Sequence, residues 1–315
     1  MELREDFLIE TLNPDMGYFF RSQKKLYETK TQYQDLEIHE LPRHGRMLRL
    51  DGVFQTSEKD EFFYHEPLAH VPGITIDGPE TALVIGGGDG GAAEEILKYP
   101  TVKKVVMVEL DAGVVEACRQ HIPSISAGAF SDPRLSLRIE DGLAYVKSSQ
   151  EKFDHILLDL TDPFGPSIEL YTREFYLELN RLLTDRGLLS LHIESPITRP
   201  ELFSKLYHTL RSVFPIVRPM TNYVPLYGTL WGFAIAGRQS DPLSISKEEI
   251  QKRLSKFGIK NLQFYNPDMH HALLSLPNYI LDLLKTPQEP LRSGESLPVP
   301  AGSKRNLRLV ELKTG

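Results

Sequence analysis

The strongest structural signal in the sequence is the stretch from residue 82 to residue 91, which reads ALVIGGGDGG. Its four apolar residues predict a short buried strand, and the glycines that follow contain the spacing GxGxxG. Residues 92–98 then have the pattern of a helix. At such a strand–turn–helix connection, glycines let a ligand approach the backbone, and the helix N-terminus offers unpaired N–H groups. The stretch therefore predicts a nucleotide-type ligand, with a merely tight turn as the alternative.

Strands and helices alternate on the C-terminal side of this turn. This alternation is typical of βαβ units in a mainly parallel sheet. Residues 217–223 and 230–236 follow without a helix between them, which predicts an antiparallel pair at one sheet edge. We therefore predict the α/β class with a Rossmann-like, doubly wound sheet. The predicted strands are 82–85, 105–108, 135–139, 156–158 and 188–193, and the predicted helices are 92–98, 112–121, 142–148, 172–183 and 200–213.

The sequence divides into three parts by pattern. In the first, Asp51-Gly52 lies between two short apolar segments and predicts a β-hairpin, and a helix is expected near residues 60–66, which Pro67 either interrupts or restarts. After residue 286, Pro, Gly, Ser and charged residues dominate. We predict an N-terminal β-hairpin domain (1–78), a Rossmann-like catalytic domain (79–286) and a loose C-terminal tail (287–315).

The composition argues against several classes of protein. The 315 residues include 36 Lys and Arg against 43 Asp and Glu, a net charge of −7, whereas general nucleic-acid binders have a basic footprint. The single cysteine, Cys118, permits no intrachain disulfide and fits a reducing compartment. Residues 1–6 lack the apolar core of a secretory signal, and no apolar run approaches the ~20 residues of a membrane span. We expect a cytoplasmic protein without nucleic-acid or membrane partners.

Acidic residues follow each of the first four predicted strands of the sheet. In an open α/β sheet, ligands bind outside the carboxyl ends of the strands. Glu109 comes 23 residues after Gly86, where such folds place an acid on ribose hydroxyls, and this position fits both NAD and an adenosyl cofactor. A carboxylate at Asp141 can accept from an adenine amino group, with Gly142 giving backbone access. The acids at the strand ends are Asp89, Glu109, Asp141, Asp159 and Asp162.

The negative charges of these five acids limit which ligands can bind. Asp89, within the glycine loop, would repel the pyrophosphate of a dinucleotide, and the carboxylate of S-adenosylmethionine would also meet acids. Decarboxylated S-adenosylmethionine keeps the sulfonium and the amine and has no carboxylate. It therefore fits the acids best.

Several motifs resemble the spermidine synthase (polyamine aminopropyltransferase) family, in order, from about residue 17 to residue 284. The resemblance implies a Rossmann-like domain of the S-adenosylmethionine methyltransferase type behind a small N-terminal domain of β-strands. The motifs are LDGVFQT at 50–56, DEFFYHE at 60–66, the glycine loop, DLTDPFGP at 159–166, LYT at 170–172 and YNPDMH at 265–270.

Members of this family transfer the aminopropyl group of decarboxylated S-adenosylmethionine to an amine, usually putrescine, giving spermidine and 5′-methylthioadenosine. The sulfonium is already a good leaving group, so no metal is expected, and a homodimer or homotetramer is implied. By resemblance, Asp159 is the proton acceptor. The implied co-substrate residues are Gln34, Gly86, Gly88, Asp89, Glu109, Asp141, Gly142 and Pro166, and the implied amine residues are Gln55, Tyr64, His65, Asp89, Asp159, Asp162 and Tyr227.

The sequence departs from the family pattern at two places. His192 stands where the family often has Gln, and its role is left open. Residues 225–233 look one residue shorter than the usual version, and this form also resembles relatives that accept other amines. Agmatine, cadaverine or spermidine (giving thermospermine or spermine) therefore remain alternatives to putrescine. More remote alternatives are a small-molecule methyltransferase, an NAD-linked dehydrogenase and a non-catalytic polyamine-binding protein.

Overall fold

The computed structural model describes residues 6–297, except for the side chains of Asp6 and Pro166. The strands are, in chain order, β1 (Asp6–Asn13), β2 (Met16–Ser22), β3 (Lys24–Lys30), β4 (Asp35–Leu41), β5 (Gly45–Leu50), β6 (Val53–Ser57), β7 (Thr81–Gly86), β8 (Lys104–Glu109), β9 (Leu135–Ile139), β10 (Phe153–Asp159), β11 (Leu183–His192), β12 (Ile216–Val224) and β13 (Thr229–Gly237).

The helices are α1 (Phe62–Thr75), α2 (Gly91–Leu97), α3 (Ala112–His121), α4 (Pro123–Ser126), α5 (Gly142–Ser148), α6 (Arg173–Leu182), α7 (Pro200–Arg211), α8 (Lys247–Phe257), α9 (Pro267–Leu274) and α10 (Asn278–Lys285). Among the residues that the structure describes, no helix is both long and apolar enough to cross a membrane.

Seven strands form the central sheet, in the order β12-β13-β11-β10-β7-β8-β9. The strands from β11 through β9 run parallel, and β13 pairs antiparallel with both β11 and β12. This confirms the Rossmann-like sheet and the antiparallel edge pair predicted from the sequence. From β7 the chain winds outward to β8 and β9, then returns to β10 on the other side. Ligand crevices of open α/β sheets form where the strand order reverses in this way.

Both faces of the central sheet are covered by helices. Along β7, side chains alternate between the two faces, and all four of its apolar residues are buried. Ala82 and Val84 pack on the layer that contains α1, α2, α8 and α9, and Leu83 and Ile85 pack on the layer of α5, α6, α7 and α10. The continuous apolar runs seen in the sequence thus reflect strands that are buried on both faces.

The N-terminal part is built of β-strands, as the sequence predicts. The strands β1 and β2 form a two-stranded hairpin, and β3 to β6 form a four-stranded antiparallel sheet. Asp51 and Gly52 join β5 to β6, both with positive φ (48° and 84°), which is the conformation of a tight hairpin turn.

Helix α1 continues through Pro67 and Pro72, so the predicted interruption at Pro67 is wrong. A proline inside a helix leaves the carbonyl four residues before it without its N–H donor. Here that carbonyl belongs to Phe63, and the side-chain amide of Asn222 donates to it at 2.7 Å. Helix α1 also packs on α2 and on strands of the central sheet, so by its contacts it belongs with the second domain rather than with residues 1–78.

Residues 287–297 are docked on the second domain, which corrects the expectation of a loose tail for this segment. Leu291 is fully buried, its N–H donates to Thr209 Oγ1 at 2.9 Å, and its carbonyl accepts from the Arg173 N–H at 2.9 Å. Leu297 packs on the same core, and Ser293 and Gly294 donate to the carboxylates of Glu174 and Glu169, so several contacts hold the segment against the second domain. Residues 298–315 of the predicted tail lie outside the described residues.

Candidate active site

A cavity of about 770 Å³ opens at the carboxyl ends of β7, β8 and β10, where it is also lined by residues of β5 and β6. Its size is that of a site for a ligand as large as a nucleoside with a side chain. The structure brings together twelve of the residues predicted for the site: Gln34, Gln55, Tyr64, His65, Gly86, Gly88, Asp89, Glu109, Asp141, Gly142, Asp159 and Tyr227.

Asp162 and Pro166, the two other residues predicted for the site, are not part of this set of twelve. Asp162 lines a second, much smaller cavity of about 20 Å³ beside the first. Pro166 lies in the 3-10 turn Gly165–Tyr171, and the position of its side chain is outside the described part of the structure.

The glycine loop is tied to the end of β10. Asp159 and Gly86 are partners in the parallel ladder, and the Gly87 N–H donates to the Asp159 carbonyl at 2.9 Å. Gly86 has a φ of +82°, and a Cβ at this position would overlap the Asp159 carbonyl oxygen. Glycine is therefore required here for both its conformation and its small size.

Replacing Gly86 with alanine is expected to lower the free energy of unfolding by about 3 kcal/mol, combining a left-handed backbone with overpacking. Gly128 is a matched control because its φ is +93° but nothing lies within 4 Å of its Cβ position. Gly128→Ala should cost only the backbone part, about 1 kcal/mol. Denaturant unfolding of both variants measures the difference, and equal losses would show that the contact with Asp159 is unimportant.

The end of β8 forms the wall of the cavity that suits a ribose. Burial raises the pKa of Glu109 to about 7, although its Oε1 accepts from the Asp111 N–H at 2.8 Å. Asp111, which the sequence interpretation missed, caps α3 and accepts from the side chains of Gln34 (2.9 Å) and Thr31 (2.7 Å). Through this carboxylate the N-terminal domain is fixed against the nucleoside end of the cavity.

Asp141 follows β9, the next strand along the sheet, and directly precedes α5. Its Oδ1 accepts from the Leu143 N–H at 2.8 Å, so it caps α5. The cap explains the Asp141-Gly142 pair structurally, and both residues also line the cavity. This position suits contact with a base beside the ribose wall.

Three elements place an imidazole between carboxylates at the centre of the cavity. His65 Nε2 on α1 lies 3.5 Å from Asp159 Oδ2 and 3.8 Å from Asp89 Oδ2, and its Nδ1 lies 2.6 Å from Glu61 Oε2. Burial opposes a charge on the ring, but Asp89, Asp159 and Glu61 outweigh it and raise the pKa of His65 well above its usual value. Burial raises the pKa of Asp89 to about 6, with the His65 charge opposing it. The imidazolium is thus held by acids.

His65, Asp89 and Asp159 also lie as close together as the ligands of a metal ion, with one atom of each within 4.8 Å of the others. The sequence did not suggest this grouping because the three residues come from different elements. In this arrangement the His65 ring lies between the two carboxylates, and carboxylates can also accept hydrogen bonds from ammonium groups. Asp159 lines the cavity, and its Oδ2 is buried without a hydrogen bond among the described residues, with His65 Nε2 3.5 Å away.

Aromatic side chains line the part of the cavity beyond Asp159. Tyr64 packs edge-on against Tyr227 and Phe233, with ring centres 6.0 and 5.4 Å apart. Tyr227 Oη donates to the Gln55 carbonyl at 2.9 Å, which joins the short segment after β12 to β6. The rings of Tyr64 and Tyr227 give this part of the cavity an apolar wall, called the aromatic or amine passage below, which suits an alkyl chain.

His192 lies behind this passage and touches the loop after β10. Its Nε2 lies 3.0 Å from the Leu160 carbonyl and 2.6 Å from Tyr171 Oη, and burial lowers its pKa. Since a carbonyl only accepts, the neutral ring donates from Nε2. His192 therefore positions the backbone between Asp159 and Asp162.

Asp162 is paired with a cation of the chain itself, which the sequence did not predict. Arg199 Nη1 lies 2.8 Å from Asp162 Oδ2 and 2.7 Å from Glu194 Oε2. Glu10 of β1 lines the same small cavity. Neither Glu10 nor Arg199 has a local sequence signal, whereas Glu61 could have been found because it lies four residues before His65 on one helical face.

The fold and the acidic, nucleoside-sized cleft define a Rossmann-like transferase. Comparison with known proteins then identifies the family: the profile of the spermine/spermidine synthase domain matches residues 61–246, and that of the spermidine synthase tetramerisation domain matches residues 8–58. The chain belongs to the spermine/spermidine synthase family of polyamine aminopropyltransferases.

Individual relatives cover nearly the whole chain. The chain is 49% identical to a polyamine aminopropyltransferase of Nitrosomonas europaea, over 94% of this chain and 91% of that one. It is 39% identical to the polyamine aminopropyltransferase of Moorella thermoacetica, over 91% and 99%. A crystal structure of spermidine synthase with the transition-state analogue AdoDATO superposes with a TM-score of 0.84 at 34% identity, covering 90% of this chain and 98% of that one.

Proposed function

We propose that this aminopropyltransferase moves the aminopropyl group of decarboxylated S-adenosylmethionine to putrescine, giving spermidine and 5′-methylthioadenosine. The carrying observation is the set of carboxylates around His65, in which Asp89 and Asp159 line one nucleoside-sized cavity and Asp159 Oδ2 makes no hydrogen bond among the described residues. The spermidine synthase solved with AdoDATO supports the same kind of co-substrate.

Each end of the co-substrate has a place in the cavity. Glu109 faces the ribose, with Gln34 beside it, and Asp141-Gly142 faces the adenine. Asp89, within the glycine loop, accepts hydrogen bonds from the primary ammonium of the aminopropyl group. A carboxylate on the same carbon, as in intact S-adenosylmethionine, would be repelled by Asp89.

The reaction needs a base and correct placement. The acceptor amine enters as an ammonium, since its ordinary pKa is about 10, and passes one proton to Asp159. The nitrogen lone pair then forms a bond to the aminopropyl carbon next to sulfur, while the C–S bond breaks and its electron pair stays on sulfur. The sulfonium becomes the neutral thioether of methylthioadenosine, and the positive charge moves to the new secondary ammonium. Catalysis is mainly the alignment of the two ligands in a line.

The acceptor is proposed to be a diamine. The passage formed by Tyr64 and Tyr227 fits an alkyl chain, and the small cavity at its end has about 20 Å³, enough for one group of the size of water or ammonium. One amine at Asp159 and one at this end match putrescine better than a triamine.

The acceptor assignment is tested with a panel of amines. Purified protein with decarboxylated S-adenosylmethionine is offered putrescine, cadaverine, agmatine and spermidine separately, and kcat/KM is measured from methylthioadenosine release. Putrescine should have the highest value. A higher value for agmatine or spermidine would replace the proposed acceptor and leave the family assignment intact.

Binding of the nucleoside should depend on pH through Glu109. Ribose hydroxyls donate to the ionised carboxylate, so affinity rises as pH rises through the pKa of about 7. The Kd of methylthioadenosine, which has no amine for Asp89, should be about tenfold weaker at pH 6 than at pH 8. Calorimetry measures this, and Glu109→Gln should remove the pH dependence. A parent Kd that does not change between pH 6 and pH 8 would contradict the role of Glu109.

We also propose that the chain forms a homodimer or homotetramer through its N-terminal strands. The match of residues 8–58 to a tetramerisation domain supports this. Light scattering of the purified protein tests it, and a monomer at micromolar concentration would contradict it. A cytoplasmic location stays a prediction.

A further inference from the structure

Arg199 is fixed firmly at the far end of the amine passage. Besides Asp162 and Glu194, its guanidinium reaches the N-terminal hairpin, where Nε donates to the Leu12 carbonyl at 3.1 Å. It also lies over the ring of Phe164 at 4.8 Å. Only 12% of its side chain is exposed. Contacts with three separate segments, the loop that contains Asp162 and Phe164, the segment of Glu194 and the N-terminal hairpin, hold this cation in one position.

Glu194, which is paired with Arg199, has both an unusual environment and an unusual backbone conformation. Its side chain is fully buried, and its φ of +70° is unusual for a residue other than glycine. Its Oε1 has no hydrogen-bond partner among the described residues. Such a conformation persists only where the surroundings impose it, and it is more frequent at functional sites.

The small cavity next to Arg199 adjoins the amine passage. The two cavities share Gln55, Tyr64, Leu160 and Tyr227 as walls. At the far side the small cavity is closed by Glu10, Asp162 and Arg199. Its volume of about 20 Å³ admits one ammonium group, which could contact the Asp162 carboxylate from the side opposite Arg199.

We propose that Arg199 is a specificity-determining residue, which closes the amine passage after one ammonium group and so restricts the acceptor to a diamine. This inference rests on the proposed function. A triamine such as spermidine would extend into the volume that the guanidinium occupies. Its additional ammonium would also face a cation where the carboxylates of Asp162 and Glu194 are already paired. Both size and charge therefore act against the longer acceptor.

The inference is tested by the ratio of kcat/KM for spermidine to kcat/KM for putrescine. Arg199→Ala removes the obstruction and frees two carboxylates, so the ratio should rise about tenfold or more. Arg199→Lys keeps a cation of similar reach and should retain the parent ratio within about threefold. Arg211→Ala, on the exposed end of α7, is a matched control that should leave the ratio unchanged.

Arg199 also ties the hairpin to the second domain, so thermal melting is measured for each variant. If Arg199→Ala does not fold, Arg199→Gln takes its place as the test. Glutamine is neutral and shorter than arginine but can still hydrogen-bond to Asp162. The same rise in the ratio of kcat/KM values is expected. An unchanged ratio in a folded, active neutral variant overturns the inference while the proposed function stands. A parent protein that makes no spermidine from putrescine overturns the proposed function itself.

Discussion

Asp159→Asn is expected to lower kcat for aminopropyl transfer by about 10³-fold, within the range that general base catalysis contributes. The amide has the size of the carboxylate but cannot take the proton from the acceptor ammonium. Asp159 lines the cavity, its Oδ2 makes no hydrogen bond among the described residues, and its backbone is fixed by the ladder with Gly86. Removing its charge also leaves His65 with one acid fewer, at 3.5 Å.

The measurement is the initial rate of methylthioadenosine release at saturating concentrations of both substrates. Asp185→Asn is the matched control because it makes the same chemical change on a side chain that is 80% exposed, and its rate should equal that of the parent. Thermal melting shows whether the variants are folded. A folded Asp159→Asn variant that retains more than about a tenth of the parent rate would assign the proton to another group.

Asp89→Asn is expected to weaken the binding of decarboxylated S-adenosylmethionine by about 2 kcal/mol, which is about 30-fold, because it removes a charge-assisted hydrogen bond to the primary ammonium. Affinity for intact S-adenosylmethionine should fall less or rise, since the repulsion of its carboxylate is removed as well. The ratio of the affinity for decarboxylated S-adenosylmethionine to the affinity for intact S-adenosylmethionine should therefore fall.

Isothermal titration of both co-substrates with the parent and the variant gives the four dissociation constants. Burial raises the pKa of Asp89 to about 6, so the preference of the parent for the decarboxylated form should itself weaken as pH falls below that value. A variant with the parent's preference would mean that another residue excludes the carboxylate. Methylthioadenosine serves as the control ligand because it has neither group, and its affinity should hardly change.

Much of the nucleoside end was predictable because its residues follow strands with a clear pattern. Asp89, Glu109, Asp141 and Asp159 each lie at or just after the end of a parallel strand, and parallel strands bring their carboxyl ends to one edge of the sheet. The parallel sheet and the antiparallel pair at its edge followed from the alternation of elements and its interruption near residue 217, whereas the order of the strands was not predicted. Their catalytic and binding roles remain predictions.

The amine end was less predictable because its polar residues are joined only by the tertiary fold. Glu10 comes from the first hairpin, and Arg199 reaches Asp162 from 37 residues away. The continuation of α1 through Pro67 similarly depended on Asn222, which lies 159 residues from Phe63. Secondary-structure propensity depends only on the residues of the segment itself. Contacts with residues far away in the sequence can override that propensity, and they cannot be read from the segment alone.

The central claim is that the cleft transfers an aminopropyl group, and product identity tests it most directly. Purified protein is incubated with putrescine and decarboxylated S-adenosylmethionine labelled in the aminopropyl carbons, and the products are identified by mass spectrometry. We expect labelled spermidine and unlabelled methylthioadenosine in equal amounts. Absence of labelled polyamine, or formation of a methylated amine when intact S-adenosylmethionine is supplied instead, would contradict the claim.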